Sequence, residues 1–166
     1  GDKKTGAHSD VANVIYHYFK DCFVCANIKE NAWYYFNEHI GGRWELTEQG
    51  HKLRSRLSNE IVELYVFYLN KYQEKARLED EDSEWKTFYD NRVANCGKVI
   101  VKLKDSGYKD KIMKECKEYF YDNKFIEKLD DQKHLIGFEN GIYDLNESIF
   151  RGGLPSDYIS LSTQLS

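Results

Sequence analysis

The stretch Leu135-Ile136-Gly137-Phe138-Glu139-Asn140-Gly141-Ile142-Tyr143-Asp144-Leu145, followed after a short spacer by Pro155-Ser156-Asp157-Tyr158-Ile159-Ser160, decides how this chain is read. Leu135, Ile136 and Phe138 on one side and Ile142, Tyr143 and Leu145 on the other supply the apolar residues of two strands. Asn140 and Gly141 between them tolerate the positive φ angles of a tight turn. The stretch is therefore expected to be a β-hairpin, with Asp144 capping or anchoring it and Asn140-Gly141 setting its turn.

Upstream of the hairpin the pattern is helical. Val11, Val14, Ile15, Tyr18 and Phe19 recur at helical spacing after Ser9 or Asp10, either of which can cap a helix reaching about Lys20. Phe23 to Ala26, Trp33 to Phe36 and Arg43 to Leu46 are short aromatic-rich runs separated by turn residues, as in a small antiparallel meander. Thr47 offers an N-cap to one long helix whose apolar face is Leu53, Leu57, Ile61, Leu64, Tyr65, Tyr68, Leu69 and Tyr72. After the charged turn Glu79 to Asp82, Ser83 caps a second, with Trp85, Phe88, Tyr89, Val93, Cys96, Val99, Ile100 and Leu103 as its stripe. Both stripes are expected to be buried. Gly107 is expected to break that helix, Ile112, Met113, Cys116, Tyr119 and Phe120 outline a third, and Phe125, Ile126 and Leu129 a short turn. The fold class is thus mainly α with small β elements (α+β): a helical domain with a short antiparallel meander near the N-terminus and a C-terminal β-hairpin. Residues 8–166 are expected to form one domain behind a flexible tail at 1–7.

Composition agrees. The chain of 166 residues is 41% hydrophobic and 31% charged, with 13 Tyr, 9 Phe and one proline, Pro155, which leaves the long helices uninterrupted. No apolar run approaches the roughly 18 residues that span a membrane, so neither a membrane partner nor secretion is expected. A net charge of -4 lacks the overall basic excess of an autonomous duplex-DNA binder, so nucleic-acid contact has to be local.

Nucleotide hydrolysis needs G-x-x-x-x-G-K-S/T, and Gly97-Lys98 continues as Val99, so no P-loop is present. Metal chemistry needs convergent ligands. Asp80 and Asp82 have a two-residue spacing, but within a run of like charges that reads as a solvated turn, and the five histidines show no i, i+4 pair. Cys22-x-x-Cys25 lacks a second ligand pair and reads as a strand with thiols packed as small hydrophobes. Nucleic-acid contact is the live possibility: Lys52, Arg54 and Arg56 lie close in sequence to Arg43 and Trp44 and could set a positive patch beside an aromatic surface. The lysines 98, 102, 104, 109, 111, 114 and 117 are interleaved with Asp105, Asp110, Glu115 and Glu118 and read as an ordinary surface.

The paired C-terminal strings, together with Trp33-Tyr34-Tyr35-Phe36 and Arg43-Trp44, resemble the helicase-flanking region of viral and phage primase-helicases, including the poxvirus-type enzymes of large DNA viruses. In that family the region precedes a superfamily 3 AAA+ motor. The resemblance rests on Phe138, Asn140, Gly141, Asp144, Leu145, Pro155 and Tyr158, and it implies structural roles for them. It further implies a non-catalytic collar or adaptor between primase and motor that aids ring assembly and DNA engagement. ATP and Mg would belong to the parent motor, and no catalytic, cofactor or metal residue is expected in this chain. The implied partners are the downstream motor, further copies (a hexamer in the parent) and single-stranded DNA, at a viral replication site or in the host cytoplasm. The alternative reading is a stand-alone nucleic-acid-binding module using the basic and aromatic patch.

Overall fold

The structure, a computed structural model, describes residues 7–161; most of the expected tail at 1–7 and the last five residues of the expected domain lie outside them. The chain is 54% helical and 18% strand, a mixed α+β fold. It falls into two compact units, one of residues 1–15 and 53–116, the other of residues 16–52 and 117–166.

The first unit is helical. It holds the start of α1 (His8–Phe19), most of α2 (His51–Leu57), α3 (Glu60–Arg77), α4 (Glu84–Lys102) and most of α5 (Ser106–Phe120). The long helix expected from Thr47 onward is in fact two. Asn59 takes φ -116° and ψ -87°, outside the helical region; its side-chain Nδ2 donates to the Ser55 carbonyl and its backbone amide to the Arg56 carbonyl, closing α2 before α3 begins. Thr47 does serve that start, since its hydroxyl accepts from the Lys52 amide at 3.3 Å. Ser83 caps α4 as expected, its Oγ accepting from the Trp85 amide at 3.1 Å. The break before α5 lies at 103–105 rather than at Gly107, which sits inside the first turn. Asp105 is the capping residue, its carboxylate accepting from the Tyr108 amide at 2.8 Å.

Burial within this unit is uneven. Leu53, Leu57, Ile61, Val99, Leu103 and Ile112 are sealed, yet α3 fully buries only Ile61 and Ala76, and α4 only Cys96 and Val99. Some aromatic residues of both stripes stay exposed: Tyr68, Trp85 and Phe88 face solvent, as does Phe67, while Tyr65, Tyr72 and Tyr89 are half-buried. This corrects the expectation of two buried faces. Helical spacing shows that residues share a face, while a third element must be present for that face to be covered.

The second unit contains two three-stranded antiparallel sheets. β1 (Phe23–Asn27), β2 (Ala32–Asn37) and β3 (Arg43–Thr47) form the expected meander, with Phe36 paired to Trp44 and Trp33 to Thr47. The second sheet is β4 (Leu135–Phe138), β5 (Gly141–Asp144) and β6 (Ile149–Arg151). Its third strand was not legible, because Leu145-Asn146-Glu147-Ser148 reads as polar spacer and β6 presents two exposed residues out of three. α6 (Phe125–Lys128) brings Phe125 into a cluster with Phe36 and Trp44. The Trp44 and Phe125 rings meet nearly edge to face at 5.0 Å, a favourable geometry for their quadrupoles. Trp33 is fully buried against Phe120, 5.6 Å between rings.

Cys25 is buried in β1 and Cys22 half-buried beside it, and neither is in a disulfide. Burial pushes the Cys25 thiol above its ordinary pKa, which suppresses the reactive thiolate. The C-x-x-C is therefore packing.

Candidate functional site

The C-terminal motif folds as a set of side chains serving backbone. Phe138 pairs with Gly141 across a loop of Glu139 and Asn140. Asn140 keeps a negative φ, so the expectation of positive φ at both turn residues is corrected. What Gly141 supplies is space: a Cβ there would stand 2.6 Å from the Arg151 carbonyl oxygen and 2.8 Å from the Phe150 ring. Asp144, 7% exposed, anchors the next turn, its Oδ1 accepting from the Asn146 amide at 2.9 Å and the Glu147 amide at 3.2 Å. Leu145, by contrast, is exposed, and its amide donates to the His134 carbonyl at 2.8 Å.

Pro155 opens a 3-10 turn ended by Tyr158 in the left-handed region, φ 51°. Two features fix this turn onto the rest of the unit. The Trp44 indole N–H donates to the Pro155 carbonyl at 3.0 Å, and the Trp44 amide to the Ile159 carbonyl at 2.8 Å. Arg151 then grips Asp157 with both terminal nitrogens, at 2.8 and 3.0 Å, while the Leu154 amide donates to the same carboxylate at 2.7 Å. Further along, Asp130 accepts from the Ser160 amide and hydroxyl and from the Leu161 amide. Neither Arg151–Asp157 nor Asp130–Ser160 has a fixed-spacing signature by which the sequence could have disclosed it.

The Asp157 carboxyl is pushed up by burial, but hydrogen bonds from Arg151 and the Leu154 amide outweigh this and hold it below the usual carboxylate range. With the folded pKa depressed, the unfolded chain binds more protons in the window below about pH 4, so stability rises with pH there and is lost as pH falls through the folded value. We expect Asp157→Asn to lower the urea midpoint at pH 7 and flatten the loss of stability on acidification below about pH 4. A wild-type slope retained in the variant would show that other carboxylates carry it.

The structure gives each of the five residues expected to meet nucleic acid a partner within the protein. Trp44 is 3% exposed, with no ring face open for stacking. Arg43 donates to the Phe138 carbonyl at 3.2 Å, and Lys52 lies over the Tyr35 ring at 5.7 Å. In the helical unit, Arg54 bridges Asp110 at 2.9 Å and Arg56 pairs with Glu60. These side chains knit their own units together. Among the described residues no group of three His, Cys, Asp or Glu could hold a metal ion, Asp80 and Asp82 included, and no helix is long and apolar enough to cross a membrane.

One unit joins a meander and a second three-stranded sheet through a proline turn, and the other is a set of helices; both are scaffolds built from backbone-serving side chains. The family follows: residues 12–166 match the model described as "D5 N terminal like", and the chain belongs to that family. It is 35% identical over 157 residues to "Putative helicase L207/L206" of Acanthamoeba polyphaga mimivirus, covering 95% of this chain and 16% of that protein. It is 26% identical to "Putative helicase 022R" of Frog virus 3 (isolate Goorha), covering 93% and 18% respectively. A shorter match, 40% over 69 residues, joins it to "Putative helicase 121R" of Invertebrate iridescent virus 3. The chain thus corresponds to a helicase-associated domain and spans about a sixth of the length of the first two relatives.

Proposed function

We propose that this chain is a non-catalytic adaptor of a viral DNA-replication primase-helicase, joining the primase region to an AAA+ motor and aiding assembly of the motor ring on DNA. The observation that carries the reading is the use of the motif: Gly141, Asp144, Pro155 and Tyr158, with Asp157 between the last two, hold backbone in place, as a scaffold requires. Asp130 and Trp44 fix the backbone at Ile159 to Leu161. ATP and Mg would act in the motor. The family membership and the relatives' names support this reading, and the length of those relatives leaves room for both other parts.

The test is the mass of a family motor by light scattering, with and without this chain at its N-terminal side. A ring-sized assembly that falls apart when the chain is removed is the expected result. A motor whose mass and DNA affinity are both indifferent to the chain overturns the reading.

A further inference from the structure

The aromatic residues along α3 and α4 form a continuous row, exposed except at the half-buried Tyr72 and Tyr89. Phe67 contacts Tyr68 at 5.4 Å between rings, Tyr68 contacts Tyr72 at 6.3 Å, and Tyr72 stacks on Tyr89 of the neighbouring helix at 6.2 Å. Tyr89 stacks on Trp85 at 6.0 Å, and Trp85 meets Phe88 at 5.7 Å. The row thus crosses from α3 to α4, with its ends wide open: Phe67 is 59% and Trp85 60% exposed. Leaving such surface in water is unfavourable, and a run of this kind marks a binding face.

The cations along the row indicate what it binds. Lys71 lies over Phe67 at 5.9 Å, Lys75 over Tyr89 at 5.7 Å and Arg92 over Phe88 at 5.0 Å. Among the described residues none of the three has an ion-pair partner, whereas Arg54, Arg56, Arg77, Lys86, Lys128 and Arg151 all do. Rings flanked by unneutralised positive charge suit an occupant that alternates flat apolar groups with anions. A single-stranded nucleic acid is such an occupant, its bases stacking on rings and its phosphates meeting Lys and Arg. A second copy placed ring to ring would bring the same three cations against one another.

We propose that the α3–α4 aromatic row is a binding site for single-stranded nucleic acid. The proposal rests on the adaptor reading for its biological setting, but the two fail separately, because this site is read on the chain alone and the adaptor role on the mass of the motor.

Trp85 provides the readout, since Trp33 and Trp44 are buried and report only the fold. The probe is a fluorescein-labelled oligodeoxythymidylate, titrated at low salt while anisotropy and tryptophan emission are followed. Binding should quench the exposed tryptophan and weaken with salt, with a log–log slope of about -2 for three phosphates neutralised on a single strand. The double variant Trp85→Ala, Phe88→Ala should weaken binding about tenfold or more. Lys71→Gln with Lys75→Gln should reduce the slope to about -0.7. Because these side chains are exposed, an unchanged urea midpoint will show that each variant is folded.

Flat titrations at low salt overturn the proposal, as does binding that Trp85→Ala, Phe88→Ala leaves unchanged. A concentration-dependent rise in mass that the same double variant abolishes, without DNA binding, overturns it in favour of a second copy.

Discussion

Gly42→Ala should destabilise the protein by about 3 kcal/mol or more, or prevent folding outright, while Gly152→Ala should be within about 0.5 kcal/mol of wild type. Gly42 takes φ +86°, and a Cβ there would lie 2.3 Å from the Gly153 carbonyl oxygen. The reverse approach is as close: a Cβ on Gly153 would stand 2.0 Å from the Gly42 carbonyl oxygen, and the Gly153 amide donates to the Gly41 carbonyl at 2.7 Å. Backbone meets backbone at this point, so no side chain can move aside to relieve the overlap. At Gly152 a Cβ meets nothing within 4 Å. Urea midpoints by far-UV circular dichroism would decide the matter. Equal midpoints for Gly42→Ala and wild type would mean that the β2–β3 turn and the C-terminal motif are not joined this way in solution.

Trp44→Ala is the second large effect, at about 3–5 kcal/mol of lost stability, a large share of what a domain of this size has to lose. The indole fills the cluster with Phe36 and Phe125, and its N–H satisfies the Pro155 carbonyl. Trp44→Phe keeps most of the volume and loses that hydrogen bond, so it should cost about 1–2 kcal/mol. The pair of variants separates a core role from an interface role. If Trp44 were a stacking platform, both substitutions would change nucleic-acid affinity and leave the urea midpoint near wild type. We expect the midpoint to move.

These predictions bear on residues the sequence marked but assigned differently. Trp44 stands two residues after a Gly-Gly turn and beside Arg43, which resembles an exposed aromatic and basic patch when read along the chain. Across the sheet it pairs with Phe36, and that places its ring in the core. Arg54 likewise looks unpaired in sequence, because its partner Asp110 is 56 residues away. Arg56's partner is only four residues on, at Glu60, the spacing of neighbours on a helix face, and that pair was open to reading from the sequence.

The sequence by itself determined the α+β class, the meander at 23–47, the cap at Ser83, the β4–β5 hairpin and the family. Each of these depends on neighbours within a few residues, where side-chain period, capping chemistry and turn preference act directly on the backbone. Only the tertiary structure decided the rest: that Trp44 is core, that Arg151 and Asp157 close on each other, that Gly42 and Gly153 touch, and that the rings of α3 and α4 remain in water. Burial is set by which element covers a face, and helical spacing is silent about whether any element will.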